Sequence, residues 1–329
     1  MLALELFKSN NMAIVYLGFE IWENIKAFIE TYEGFEYAHS TVFSAIEFIR
    51  GICRYDCSFS EDENWKEYRE FAGSTMQSLL LMEYQKNKKR TIDYFKIIAQ
   101  QAISNTISIE SYIFTIISFL EVFDELKDPN LEFIENGLKL VLSSEIEQPL
   151  QESALRFFRE GAVHLIKLGK SIPEILSYCM KSMSSKVQRL SAEAFVEILK
   201  NIKELIPVEV VSIMITEVIK DAQKIEAENL RIISNGIGIA ITKSPSEIPR
   251  LSIAYIKNIK TLEESVYLNA VIGLFKGLLN GALPKVIGVP LLSEILNPLP
   301  RFQLNTLDLT VEMLCLAFRV PKEVLVFNM

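Results

Sequence analysis

Regularly spaced prolines are the feature of this sequence that most restricts its fold. Proline is favoured at the first position of a helix, because its missing N–H would have no partner there. It also keeps the preceding residue out of the α conformation, which ends the incoming segment. Five of the six recurring prolines follow a β-branched residue or leucine, and an apolar segment of helix length comes after each. They are spaced 34 to 44 residues apart: Pro129, Pro173, Pro207, Pro249, Pro284 and Pro321.

Helical periodicity accompanies these intervals. One apolar series runs from Ile14 to Tyr32 and another from Val187 to Ile202, each with the spacing of one helix face. No segment alternates strictly enough between turn signals to indicate a strand. Each proline interval therefore predicts a longer helix, a short turn and a second helix that proline begins.

The mean interval of about 38 residues lies between the tetratricopeptide period and the HEAT or armadillo periods. Variable spacing, without a tetratricopeptide consensus, favours HEAT-like pairs. The prediction is an all-α, HEAT-like helical-hairpin repeat superhelix, an α-α solenoid over residues 1–329. A soft boundary is expected near residue 108, between longer proline-free helices (1–108) and regular repeats (109–329).

Charge and composition limit the function. The chain has 34 basic and 42 acidic side chains, a net charge of -8, which argues against nucleic acid or an anionic membrane as a direct partner. The first residues lack a basic segment, no apolar run reaches the length of a membrane helix, and four scattered cysteines indicate a reducing compartment. We expect a soluble intracellular protein.

Residue patterns for catalysis are weak. His39 and His164 lie far apart, and Cys53-x3-Cys57 lacks a second pair of zinc ligands. Gly236-x-Gly238, with Gly273 and Gly277, is typical of close helix packing rather than of nucleotide binding. We expect neither an enzyme, nor a cofactor, nor a metal site.

One acidic run is a candidate for binding. Glu61, Asp62 and Glu63 precede Trp65 at a predicted helix start, where carboxylates are stabilised by the helix dipole. Helix capping explains the run, and contact with a basic cargo segment is the alternative. The basic run over residues 86–90, KNKKR, is interpreted as a solvated loop between helices.

Three stretches resemble the karyopherin-β superfamily, especially its transportin-SR and importin-like branch. The segment AIVYLGFEIWENI has the family's aromatic-rich helix pattern at Phe19, Trp22 and Ile25, and SEDENWKEYREF fits an acidic run followed by D-x-x-aromatic-x-x-aromatic-R. The segments over residues 150–183 and 185–202 resemble consecutive HEAT repeats of the family, with small residues at Ala192 and Ala194.

The resemblance implies a superhelix that shuttles between cytoplasm and nucleus with protein cargo. Phe-Gly nucleoporins and the GTPase Ran are the implied partners, and Ran binding is expected to need N-terminal repeats that would precede this chain. The predicted function is the central arch of a nuclear transport receptor that binds basic cargo. A HEAT-repeat scaffold subunit of a non-transport complex is the alternative.

Overall fold

The chain is all-α wherever its structure is described. A computed structural model describes residues 2–31, 39–103, 105–125, 131–145, 147–169, 171–183, 186–280, 293–295 and 306–318. Within these ranges helices pack against helices and no strand occurs, so the predicted all-α class is confirmed. The chain divides into two compact units, Met1–Leu168 and Gly169–Met329.

The first unit contains eight described helices. They are α1 (Leu2–Leu6), α2 (Met12–Thr31), α3 (His39–Ile52), α4 (Trp65–Ala102), α5 (Thr106–Glu125), α6 (Glu132–Leu142), α7 (Leu150–Glu160) and α8 (Ala162–Leu168). The soft boundary predicted near residue 108 stays a prediction, and α4 and α5, on either side of it, pack together inside this unit.

Helix α4 is interrupted at one residue. Asn87 has non-helical backbone angles, φ -151° and ψ 80°. Its side-chain oxygen accepts a hydrogen bond from the backbone N–H of Arg90 at 3.2 Å, so Asn87 caps the segment that follows. The exposed lysines of KNKKR surround the break, where a loop between helices was predicted.

The break lets α4 contribute to two layers of helices. Before Asn87, α4 contacts α2, α3 and α5, with the rings of Tyr16 and Phe71 stacked at 4.7 Å. After Asn87, it contacts α3, α5 and α6, with the rings of Phe95 and Phe133 stacked at 4.8 Å. Helix α7 follows α5 in the first layer, and α8 follows α6 in the second.

The buried face of α2 is shifted from the apolar face that the sequence predicted. Val15, Phe19 and Trp22 are buried, whereas Ile14 is 40% and Leu17 48% exposed. The aromatic pair quoted for the family resemblance, Phe19 and Trp22, is therefore part of the core.

The second unit has the same two-layer arrangement. Helices α10, α12, α14 and α15 contact one another in that order, and α9, α11 and α13 form the other series. The helix bounds are α9 (Ile172–Ser182), α10 (Gln188–Asn201), α11 (Val208–Asp221), α12 (Ala227–Thr242), α13 (Ile248–Ile259), α14 (Glu264–Asn280) and α15 (Leu307–Phe318).

Three of the recurring prolines lie at helix starts in this unit. Pro173 and Pro249 occupy the first turns of α9 and α13, and Pro207 directly precedes α11. The others, Pro129, Pro284 and Pro321, lie outside the described residues.

Glycines bring α12 and α14 into backbone contact, as their spacing predicted. A side chain at Gly277 would place its Cβ 2.8 Å from Gly238 Cα and against the carbonyl oxygen of Asn235. On another side of α12, Gly236 lies against the ring of Phe195 in α10. Gly236 therefore allows close packing against α10, and Gly238 allows close packing against α14.

Candidate functional site

The acidic run forms an exposed turn between α3 and α4. Backbone hydrogen bonds from Asp62 N to Phe59 O at 2.9 Å and from Trp65 N to Asp62 O at 3.0 Å shape the turn. The Asp62 carboxylate accepts the N–H of Asn64 at 2.8 Å, one residue before α4 begins. The carboxylates of Glu61, Asp62 and Glu63 all face solvent.

None of these three carboxylates forms an ion pair with any described residue. The same holds for the exposed Glu67 and Glu70 in α4, one and two helical turns beyond Glu63, and for the half-buried Glu152 in α7. Elsewhere, acidic side chains often pair within their own helix, as Glu193 does with Arg189 and Glu217 with Lys220. The acidic face is defined as Glu61, Asp62, Glu63, Glu67, Glu70 and Glu152, six carboxylates that form no ion pair with a described residue.

A small groove continues this face across three helices. It measures about 310 Å³ and is lined by Glu70, Ser74, Gln77, Phe114, Ser118 and Arg156 of α4, α5 and α7, among others. Most of its lining is polar, and Arg156 supplies a positive charge one helical turn beyond Glu152 in α7. The groove and the acidic face together offer both charges and hydrogen-bonding groups to an extended polar segment.

A buried ion pair holds these three helices together. The Arg69 guanidinium of α4 donates to the Glu110 carboxylate of α5 and to the carbonyl oxygen of Cys53 at 2.8 Å. Ser153 of α7 donates its hydroxyl to the same Glu110 oxygen at 2.5 Å. Because these side chains come from three helices, the network fixes the positions from which the acidic face projects.

Aromatic rings enclose the arginine of this network. The guanidinium lies 4.1 Å from the ring centroid of Phe114 and 4.6 Å from that of Tyr55, within cation–π range. Burial raises the pKa of the Glu110 carboxyl, although Arg69 and Ser153 oppose that shift. The second carboxylate oxygen of Glu110 is buried without a hydrogen-bond partner among the described residues.

The sequence pattern identified part of this network. Asp62, Trp65, Tyr68 and Arg69 belong to the motif that carries the family resemblance, and Trp65 is buried with its indole N–H donating to Ile52 O at 3.1 Å. Glu110 and Ser153 were not predicted. They stand 41 and 84 residues beyond Arg69 in the sequence, and neither belongs to a local motif.

The two histidines lie in other helix contacts, whereas Cys53 adjoins the buried network through its carbonyl oxygen. His39 Nδ1 is 2.7 Å from the buried carboxylate of Glu83, whereas His164 is buried in α8. Cys53 is also buried, and burial raises the pKa of its thiol to about 12. Within the described ranges no cluster of three or more His, Cys, Asp or Glu side chains has a metal-binding arrangement. No described helix is long and apolar enough to cross a membrane.

A second, more apolar groove lies between α9 and α11. It measures about 540 Å³, and its walls include Leu176, Met180, Ile213 and Met214. Ile213 is 59% exposed there. Methionine side chains adapt to different apolar partners, so this groove suits the insertion of a large apolar side chain.

Comparison with known proteins adds no family assignment. No protein-family model matches the chain, and no curated protein matches it either. The resemblance to karyopherin-β proteins therefore stays a prediction from the three quoted stretches.

Proposed function

We propose that each unit is a stack of HEAT-like helix pairs, and that the chain is a protein-binding module of a nuclear transport receptor. Its cargo would be a protein with an exposed basic segment. Stacked pairs are supported by the two series of helices in each unit and by the prolines that begin α9 and α13. In such arrays each pair contacts only its neighbours, which creates long surfaces for partner proteins.

The acidic face is the observation that carries the proposal. Its six carboxylates have no cationic partner among the described residues, and three of them lie on one exposed turn. A basic segment that binds there would gain charge pairs without breaking existing ones. Charge complementarity of this kind contributes to association rate and specificity, and is weakened by salt.

Reversing the charge of the turn is expected to weaken the binding of a basic peptide. The variant is Glu61→Lys, Asp62→Lys and Glu63→Lys, and the probe is fluorescein-labelled octalysine, titrated by fluorescence anisotropy at low and physiological salt. We expect the dissociation constant of the variant to rise at least about tenfold at low salt, because three attractive charges become repulsive. For the parent chain, affinity should fall as salt rises.

A matched control separates the turn from the net charge. Glu174, Glu204 and Glu209 are exposed acids of the second unit without ion pairs to described residues, so changing all three to lysine alters the net charge equally. This control should bind octalysine nearly as well as the parent. Equal losses in both triple variants would contradict a specific acidic face.

The transport assignment is tested at the apolar groove between α9 and α11. A peptide with tandem Phe-Gly repeats is expected to bind the parent chain, and Ile213→Asp should weaken that binding at least about fivefold by placing a charge in an apolar groove. Leu205→Asp is the control, because Leu205 is 73% exposed and does not line the groove. The measurement is heteronuclear NMR titration, with a Ser-Gly repeat peptide as the reference ligand.

The alternative is a HEAT-like scaffold outside nuclear transport. It is favoured if Phe-Gly and Ser-Gly peptides bind the parent equally weakly while octalysine binding still depends on Glu61, Asp62 and Glu63.

A further inference from the structure

Helices α4, α5 and α7, which border the acidic face and the polar groove, run in the same direction. The buried ion-pair network joins them near their N-terminal ends. One helical turn further on, a Cβ at Gly73 of α4 would lie 3.1 Å from the ring of Phe114 in α5, and a Cβ at Gly161, the C-cap of α7, would lie 3.3 Å from Leu120 of α5. The contacts advance together along the helices, so the acidic turn lies at the N-terminal ends of all three.

The charge of this surface changes along the helices. The solvent side of α4 is acidic beside the turn and neutral further on, in the order Glu63, Glu67, Glu70, Ser74 and Gln77. These residues recur every three or four positions, so they lie on one helix face. Arg156 of α7 lines the groove together with Ser74 and Gln77. A segment that lies along α4 from the turn therefore meets negative charges first and a guanidinium afterwards.

Arg156 is available to a carboxylate of a ligand. Glu70 lines the same groove and Glu152 lies one helical turn earlier in α7, but neither forms an ion pair with a described residue. The carboxylates of these two acids therefore leave the donors of the guanidinium to a ligand. Arginine binds a carboxylate with two parallel N–H donors, which makes the contact specific as well as strong.

The distance between the two charged regions sets the spacing in the ligand. From the acidic turn to the groove at Gly73 and Ser74, α4 rises about 15 Å, at roughly 1.5 Å per residue. An extended segment covers this distance with about five residues, at roughly 3.3 Å each. A shorter separation would place the ligand carboxylate over Glu67 and Glu70, where like charges repel it.

We propose that the cargo segment is bipolar: its basic residues bind the acidic turn, and a glutamate or aspartate about five residues away binds Arg156. This inference rests on the proposed function, because the acidic face supplies the first contact. It adds a second contact of opposite charge at a defined spacing. An oligolysine uses only the first contact, so a bipolar segment is the better ligand of this surface.

The test compares peptides with acetylated and amidated ends by heteronuclear NMR titration of the full chain at low salt. The probes are KKKGSGSE, KKKGSGSQ and the isomer KKKEGSGS, and the reversed sequences cover the opposite chain direction. The glutamine peptide has one more positive charge, so the net charge of -8 favours it over the glutamate peptide. We expect the reverse in the tighter-binding direction: KKKGSGSE should bind at least about threefold more tightly than KKKGSGSQ, and KKKEGSGS more weakly than both.

Two variants of α7 assign this preference to one guanidinium. Arg156→Gln should reverse it, so that the glutamine peptide binds more tightly, because only the overall charge then distinguishes the two ligands. Arg159→Gln removes the same charge from the same helix, but Arg159 pairs with Glu160 and does not line the groove, so the preference should remain. The inference is overturned if the parent chain prefers the glutamine peptide in both directions, if KKKEGSGS binds as tightly as KKKGSGSE, or if Arg156→Gln keeps the preference.

The charge-reversed turn separates this inference from the function on which it rests. The variant with lysine at Glu61, Asp62 and Glu63 should bind KKKGSGSQ at least about tenfold more weakly than the parent. If that loss occurs but glutamate gives no gain in the parent, the acidic face stands and only the bipolar segment is wrong. If the loss does not occur, the acidic face itself is wrong, and the bipolar segment fails with it.

Discussion

Replacing Glu110 with leucine is expected to lower the free energy of unfolding by roughly 3–5 kcal/mol. The change leaves the Arg69 guanidinium buried against Phe114 without its carboxylate. Arginine cannot lose its proton in a protein, so the buried charge stays unpaired. Arg69→Met should cost less, because the Glu110 carboxyl, whose pKa burial already raises, can be neutralised by taking up a proton. Denaturant unfolding monitored by circular dichroism measures both variants.

The double variant Arg69→Met and Glu110→Leu is the control for this explanation. Apolar replacement of both partners removes the buried charges together, so we expect a loss of only about 1–2 kcal/mol, mostly from the hydrogen bond to Cys53 O. The coupling energy between the two sites should then be at least about 2 kcal/mol. If the two single losses simply add, the ion pair does not hold α4 and α5 together in the way described.

Gly277→Ala is expected to destabilise the second unit by about 3 kcal/mol, although alanine favours helices more than glycine does. The new methyl group would lie 2.8 Å from Gly238 Cα and against the carbonyl oxygen of Asn235. Backbone atoms cannot rotate away as a side chain can, so α12 and α14 must separate. Thermal and denaturant unfolding of the variant measures the loss.

The matched substitution Gly51→Ala should have the opposite sign. Gly51 lies in the last turn of α3, and a Cβ there would meet no atom within 4 Å. A gain of about 0.5 kcal/mol is expected from the reduced backbone freedom of the unfolded chain. Similar results for the two variants would mean that α12 and α14 are not in backbone contact.

Local sequence patterns predicted the helices and their closest approach, but not the connections between them. Gly273 and Gly277 were interpreted correctly, because a four-residue spacing of glycines on one helix face has a direct steric meaning. The position at which KNKKR interrupts α4 was approximated as a loop, since charge composition indicates exposure without fixing which residue leaves the helical conformation. Periodicity also left the buried side of α2 uncertain by one residue, and Val15 rather than Ile14 is buried.

The candidate site was only partly predictable for a different reason. The exposed acids are contiguous in sequence, so Glu61, Asp62 and Glu63 could be singled out. The network behind them depends on Arg69, Glu110 and Ser153, which meet only after three helices have packed. No spacing rule connects residues from separate helices.

The single-residue break at Asn87 has a consequence for how the first unit folds. A straight helix with the 38 residues of α4 would be about 57 Å long. The break changes the direction of the helix without a loop, and α4 contacts α2, α3, α5 and α6, all of which are close to it in sequence. Low contact order of this kind is associated with fast folding. The first unit can thus assemble progressively from its N-terminus, as successive helices become available during synthesis.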